Sequence, residues 1–129
     1  MTTDNGIVTI AAAQSAAITA DKLEALIRER GLMLFARIDF AGDAARAGLT
    51  MPASQLIVFG NPKAGTPLMQ AVPTSALDLP LKILVWEDAD GRAWLSYNAT
   101  DYLQARHGLD ADLMKPVSGV VALAEAAAR

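Results

Sequence analysis

Four runs of strand-forming residues succeed one another with only short helical stretches or turns between them, and this succession restricts the fold more than any other feature. The runs are Leu32–Phe40, Gln55–Phe59, Lys82–Trp86 and Arg92–Tyr97. A parallel βαβ series would place a longer helix after each strand. Here Ala41–Gly48 is one or two Ala-rich turns, and Gly60–Pro67 is a loop dense in breakers. Pro67–Val72 reads as a short helix, and Asp88-Ala-Asp-Gly91 has the chemistry of a hairpin turn. The pattern predicts a mostly antiparallel sheet and argues against a doubly wound nucleotide-binding fold.

A strand and a helix precede these runs. Ile7–Ile10 is β-branched and short. Ala16, Ala20, Leu23, Leu26 and Ile27 recur at helical spacing, with Lys22, Glu24, Arg28 and Glu29 on the other side. Ser15 and Thr19 are both candidate N-caps, and Gly31 suits the left-handed residue after the helix. Within the second strand, alternation puts Leu32, Leu34, Ala36, Ile38 and Phe40 on one face and Met33, Phe35, Arg37 and Asp39 on the other. Gln55–Phe59 is continuously apolar and reads as covered on both faces. At the other end, Thr100 is expected to cap a helix over Asp101–His107 that Gly108 ends. Asp110 opens the last segment, broken by Pro116 and Gly119 before a helix over Val120–Ala128. The whole is read as one domain, residues 1–129, of α+β class: a β-α-β(4)-α sandwich with helices on one face of the sheet.

Composition sharpens the exclusions. Hydrophobic residues are 53% of the chain, but 26 of the 129 residues are alanine and aromatics are only 5%. Alanine favours helix and buries little area, so such a domain is expected to gain area as a homodimer. No cysteine is present, which excludes disulfides, thiolate metal sites and cysteine nucleophiles. One histidine makes a transition-metal site an unsupported reading, and no metal or cofactor is expected. The net charge is −3, and none of the 11 Lys and Arg residues adjoins another, so nucleic acid is not expected as a partner. The start lacks a basic n-region, and no run of 18 apolar residues exists. The expectation is a cytoplasmic protein that neither enters nor crosses a membrane.

Three places could carry chemistry. The stretch Asn61-Pro-Lys-Ala-Gly-Thr-Pro67 follows an apolar strand and combines a cation, a hydroxyl and glycine-freed backbone N–H groups. Asn61, Lys63, Gly65 and Thr66 are therefore candidate ligand-binding residues, although the spacing is not that of a phosphate-binding loop. A structured crossover loop with a solvated lysine is the plainer reading of the same residues. Glu87 shares a strand face with Ile83 and Val85, and if covered it needs a partner such as Arg37 or Lys63. Asp88 and Asp90 beside it suit a turn and lack the oxygen-ligand spacing of a calcium loop. Trp86 and Trp94 can neighbour each other across the hairpin, as a ligand platform or as a packing cluster. Trp86 and Glu87 join the candidate ligand-binding set. His107, at a helix C-terminus, suits the helix dipole as well as any catalytic role.

The runs Phe35-Ala-Arg-Ile-Asp39, Phe59-Gly-Asn-Pro-Lys-Ala-Gly-Thr-Pro-Leu-Met69 and Leu79-Pro-Leu-Lys-Ile-Leu-Val-Trp-Glu-Asp88 resemble a known family. So do Ser96-Tyr-Asn98, Tyr102-Leu103 and Arg106-His-Gly108. The family is the bacterial and archaeal domain of unknown function numbered 302, and the likeness covers about Ser15 to Gly108. The resemblance implies a TATA-binding-protein-like β-α-β(4)-α fold, in agreement with the order read above, and imports no DNA binding. It implies no established activity and no catalytic residues. Members typically carry a histidine after Arg-Ile-Asp, where this chain has Phe40.

Three functions are open. The first is a binding module for a small molecule or anion, with Lys63 as the charge. The second is a homodimerising protein-interaction domain. The third is a small hydrolase or isomerase with Glu87 or Asp39 as base and Lys63 as electrostatic stabiliser.

Overall fold

A computed structural model describes residues 5–129. Five strands, β1 (Ile7–Ala11), β2 (Met33–Asp39), β3 (Ser54–Gly60), β4 (Leu81–Glu87) and β5 (Ala93–Asn98), form one sheet in the order β1-β5-β4-β3-β2. Every neighbouring pair is antiparallel. The helices are α1 (Ala16–Glu29), α2 (Phe40–Arg46), α3 (Pro62–Ala71), α4 (Thr100–His107), α5 (Ala111–Met114) and α6 (Val120–Ala128). This is the expected α+β class. β1 and β2 run in the same direction at opposite edges, so α1 must cross the sheet to join them.

α1 forms where the apolar spacing predicts. Ser15 is its N-cap, its Oγ accepting from the Ile18 N–H at 3.2 Å, and Gly31 follows the helix at φ 73°. Thr19, the other candidate cap, lies inside the helix and is fully buried. Ala16, Ala20, Leu23 and Ile27 of α1 meet Val120, Leu123, Ala124 and Ala127 of α6. The alanines let the two helices approach closely, and both pack on Ile57, Phe59, Ile83, Val85, Leu95 and Tyr97 of the sheet. A second, smaller core gathers Leu68 of α3, Leu103 of α4, Leu109, Met114 of α5 and Val117.

Four expectations need correction. First, strict alternation fails in β2. A bulge between Leu34 and Ala36 leaves Phe35 as an extra residue, so Leu34 opposes Phe59 but Arg37, not Ala36, opposes Ile57. Leu34 therefore faces the core while Ala36 and Ile38 sit on the outer face opposite Val58 and Leu56. Second, β3 is interior to the sheet but buried on one face only. Ile57 and Phe59 are buried, whereas Leu56 and Val58 on the other face are half-buried. Third, residues 60–67 are not a loop. Asn61 caps α3, Pro62 takes its first position, and Pro67 lies inside it. Pro67 removes one helical N–H, which costs up to about 3 kcal/mol, yet Leu68 next to it is locked in the second core. Fourth, Ala99, not Thr100, holds the N-cap position of α4, with no side-chain cap bond.

Candidate functional site

β3 ends at Gly60, and the chain turns there into α3. Opposite, β2 begins after Gly31 and carries its bulge at Phe35. From below, α6 closes the corner with Val120 and Leu123. Between these elements is a cavity of about 400 Å³. Leu32, Phe59, Leu81, Leu123, Met69, Leu79 and Pro80 are among the residues that line it, the Leu79–Pro80 peptide being cis. Two glycines leave room. A methyl group on Gly60 would stand 3.6 Å from the Phe35 ring, and one on Gly65 would meet nothing nearer than Met69 Cε at 4.0 Å.

Of the twenty residues lining the cavity, only Arg30, Asn61 and Thr66 have polar side chains, and Arg30 alone is charged. The start of α3 offers no free backbone donor to this space. Pro62 has no N–H, the Lys63 N–H donates to Asn61 Oδ1 at 3.0 Å, and those of Ala64 and Gly65 donate to the Asn61 carbonyl. The glycine-freed amides expected from the sequence are thus consumed in capping the helix.

The structure divides the candidate ligand-binding set. Asn61, Gly65 and Thr66 line the cavity. Lys63 is on the same helix but exposed and outside the lining. Glu87 lies at the far end of β4, roughly 20 Å along the strand from Leu81 at about 3.3 Å per residue. It is half-buried on the core side, and the partners considered for it are elsewhere. Arg37, brought inward by the bulge, bonds Asp21 at 2.8 Å, Glu24 at 3.2 Å and Gln55 at 2.6 Å. Burial works against the Arg37 charge, but the two carboxylates outweigh it and hold the guanidinium pKa above its ordinary value. Asp39 is also occupied, as the N-cap of α2 accepting from the Gly42 N–H at 3.0 Å.

Trp86 is on the outer sheet face, stacked on Trp94 with ring centroids 6.3 Å apart. Its indole N–H donates to Ser96 Oγ at 2.9 Å, and that of Trp94 donates to Asp88 Oδ2 at 2.9 Å. The Trp94 bond, with the amides of Arg92 and Asp90 and the Arg92 charge, holds the Asp88 pKa below its ordinary value. Leu56, Val58 and Leu84 continue this face as half-buried apolar side chains outside both cores.

A polar cluster lies behind the cavity. His107 Nε2 is 2.5 Å from Asp78 Oδ2, and Arg106 reaches the same oxygen at 3.0 Å. The His107 side chain is only 6% exposed, so it ties α4 to the segment before β4 and is no surface cap. Ser75, close by, holds the one buried side-chain polar atom without a hydrogen-bond partner among the described residues. Leu79 and Val117 separate this cluster from the main cavity. Among the described residues no group of three His, Cys, Asp or Glu could hold a metal, and no helix is long and apolar enough to cross a membrane.

Sequence reading missed Arg30, Phe35 and the α6 wall. Phe35 carried a signal, since a large aromatic sits on the strand face assigned to Met33 and Asp39. Arg30 and α6 carried none, because they reach the cavity only through the fold.

The family model for the domain of unknown function DUF302 matches residues 8–126. The chain belongs to the DUF302 family. A DUF302 protein of Bacillus stearothermophilus, an uncharacterized conserved protein of known crystal structure, superposes with a TM-score of 0.76 over 95% of each chain at 14% identity. That likeness is one of fold. The chain is also 42% identical over 106 residues to the fluoride-specific ion channel FluC 1 of Brucella suis, and 42% identical to FluC 2 of Brucella melitensis. The matched stretch is 82% of this chain but only 42% and 39% of those proteins, so the chain spans about two fifths of their length. The string Gly60–Pro67, part of the resemblance read from the sequence, is the junction of β3 and α3 that borders the cavity.

Proposed function

We propose that this DUF302 domain is a binding module for a small, largely apolar molecule held in the cavity beside α3. The observation that carries the reading is the cavity itself: about 400 Å³, apolar in seventeen of its twenty lining residues if glycines are counted with the apolar ones. Small-molecule sites are typically of roughly 300–1,000 Å³ and lined in this way, with a few polar groups to fix orientation. The helix that forms one wall keeps a glycine at the position facing the space. A hydrolase or isomerase reading has less support, since neither Glu87 nor Asp39 lines the cavity.

Native mass spectrometry of gently purified protein, followed by titration with 1-decanol, tests this. The expected result is an adduct lost on denaturation, or saturable decanol binding that Gly65→Leu abolishes while the protein still melts cooperatively. Decanol binding that Gly65→Leu leaves intact, or neither an adduct nor decanol binding with the unaltered protein, would overturn it.

One observation favours a second reading, a homodimer through the outer sheet face. The row Leu56, Val58, Leu84 and Trp86 presents apolar side chains that neither core uses. Sedimentation at micromolar concentration decides: a dimer that Leu84→Glu dissociates supports this reading, and a monomer removes it.

A further inference from the structure

We infer that the cavity selects an amphipathic anion, an apolar chain bearing one carboxylate-type group, with Arg30 as the counter-charge at the mouth. This rests on the binding reading above and names the ligand class for the same site. Arg30 is the C-cap of α1, where its backbone N–H donates to the Leu26 carbonyl at 3.0 Å, and the residue is exposed and lines the cavity. Arg28, Arg37, Arg46 and Arg106 are each engaged by a carboxylate, and Arg92 lies over the Trp94 ring. Among the described residues the Arg30 guanidinium has no such partner.

Charge at the cavity is therefore uncompensated. The lining holds one cation and no Asp or Glu, in a chain whose net charge is −3. A guanidinium is always protonated and matches a carboxylate with two parallel donors. Since the α3 amides are consumed in capping, Arg30 is the charged donor of the lining, beside the exposed side chains of Thr66 and Asn61 and the uncapped start of α6 at Gly119. One cation suits a monoanion. The apolar interior suits a chain or ring system, and a free inorganic anion would leave that interior unfilled.

The experiment compares decanoate with 1-decanol by calorimetry at pH 7.5, on the unaltered protein and on Arg30→Gln and Arg30→Lys. The affinity ratio of acid to alcohol is expected to fall roughly 1.5- to fivefold in Arg30→Gln, the range for one exposed ion pair. Arg30→Lys should restore part of it, and added salt should reduce it in the unaltered protein and in Arg30→Lys but not in Arg30→Gln. If both compounds bind and the ratio is the same in all three proteins, Arg30 does not select charge, and the cavity reading survives without this inference. If neither binds the unaltered protein, the cavity reading falls and this one with it.

Discussion

Replacing Gly65 by alanine should stabilise this domain, although glycine borders the cavity there. Gly65 is the fourth residue of α3, its φ is not in the left-handed region, and its N–H makes the helical bond to the Asn61 carbonyl at 3.0 Å. Glycine within a helix costs about 0.5–1 kcal/mol relative to alanine, because more backbone freedom is lost on folding. The added Cβ would meet only Met69 Cε, at the ordinary contact distance of 4.0 Å. The gain is therefore that of the helix, about 0.5–1 kcal/mol, or roughly 2–5 °C in Tm for a chain of this size. Gly42 supplies the opposite case. It too is helical, but a Cβ there would lie 2.5 Å from Asp39 Oδ2, the carboxylate that caps α2. Gly42→Ala should displace that cap, worth about 1 kcal/mol, and cancel the helical gain. Urea unfolding followed by circular dichroism measures both variants on one scale. A destabilised Gly65→Ala would refute the reasoning, since it would mean that the wall of the cavity is occupied at that point. Equal stabilisation by both substitutions would show that the space around each glycine decides nothing.

Two further outcomes follow from the polar contacts. His107→Ala should cost about 2–4 kcal/mol, for a buried hydrogen bond to a carboxylate and the space left behind, whereas Arg106→Ala, on the same oxygen but 49% exposed, should cost under about 1 kcal/mol; equal losses in urea unfolding would contradict this assignment. The pKa of Asp88 is depressed in the folded state, so its contribution is complete above the unfolded value of about 3.9 and is lost as pH falls through the lower folded value. In a Trp86→Phe background, Trp94 fluorescence should hold steady from pH 8 to about pH 4 and change only below, and an additional Asp88→Ala should abolish that change; a transition centred above pH 4 would count against the Trp94–Asp88 bond.

Elements with one clear period were legible in the sequence, and those where local rules compete were not. α1 has its cap at Ser15, its stripe at Ala16, Ala20, Leu23 and Ile27, and its stop at Gly31, all in agreement. The sheet strands and the Asp88–Gly91 turn were equally plain. α3 was misread because Gly65 and Pro67 are breakers by propensity, and the burial of Leu68 against Met114 and Val117 is a tertiary contact that overrides them. The site was legible only in part, for a related reason. Asn61, Gly65 and Thr66 were named from the same string that borders the cavity. Lys63 drew attention as a charge, but helical rotation puts it away from the lining, and Arg30 reaches that space from thirty residues upstream.

The bulge at Phe35 links the fold to the site. Without the extra residue, the alternation after Leu34 would send Ala36 and Ile38 to the core and Arg37 to the outer face. With it, Arg37 turns inward and meets Asp21 and Glu24 of α1, which fixes that helix against the β2 edge. The same insertion places Phe35 against Gly60, where an added methyl group would stand at the ordinary contact distance of 3.6 Å from the ring. Arg30 caps the C-terminal end of α1, so the contact that fixes the helix also fixes where the backbone of Arg30 meets the cavity. One inserted residue thus sets the cavity wall and, through Arg37, the direction from which charge reaches its mouth.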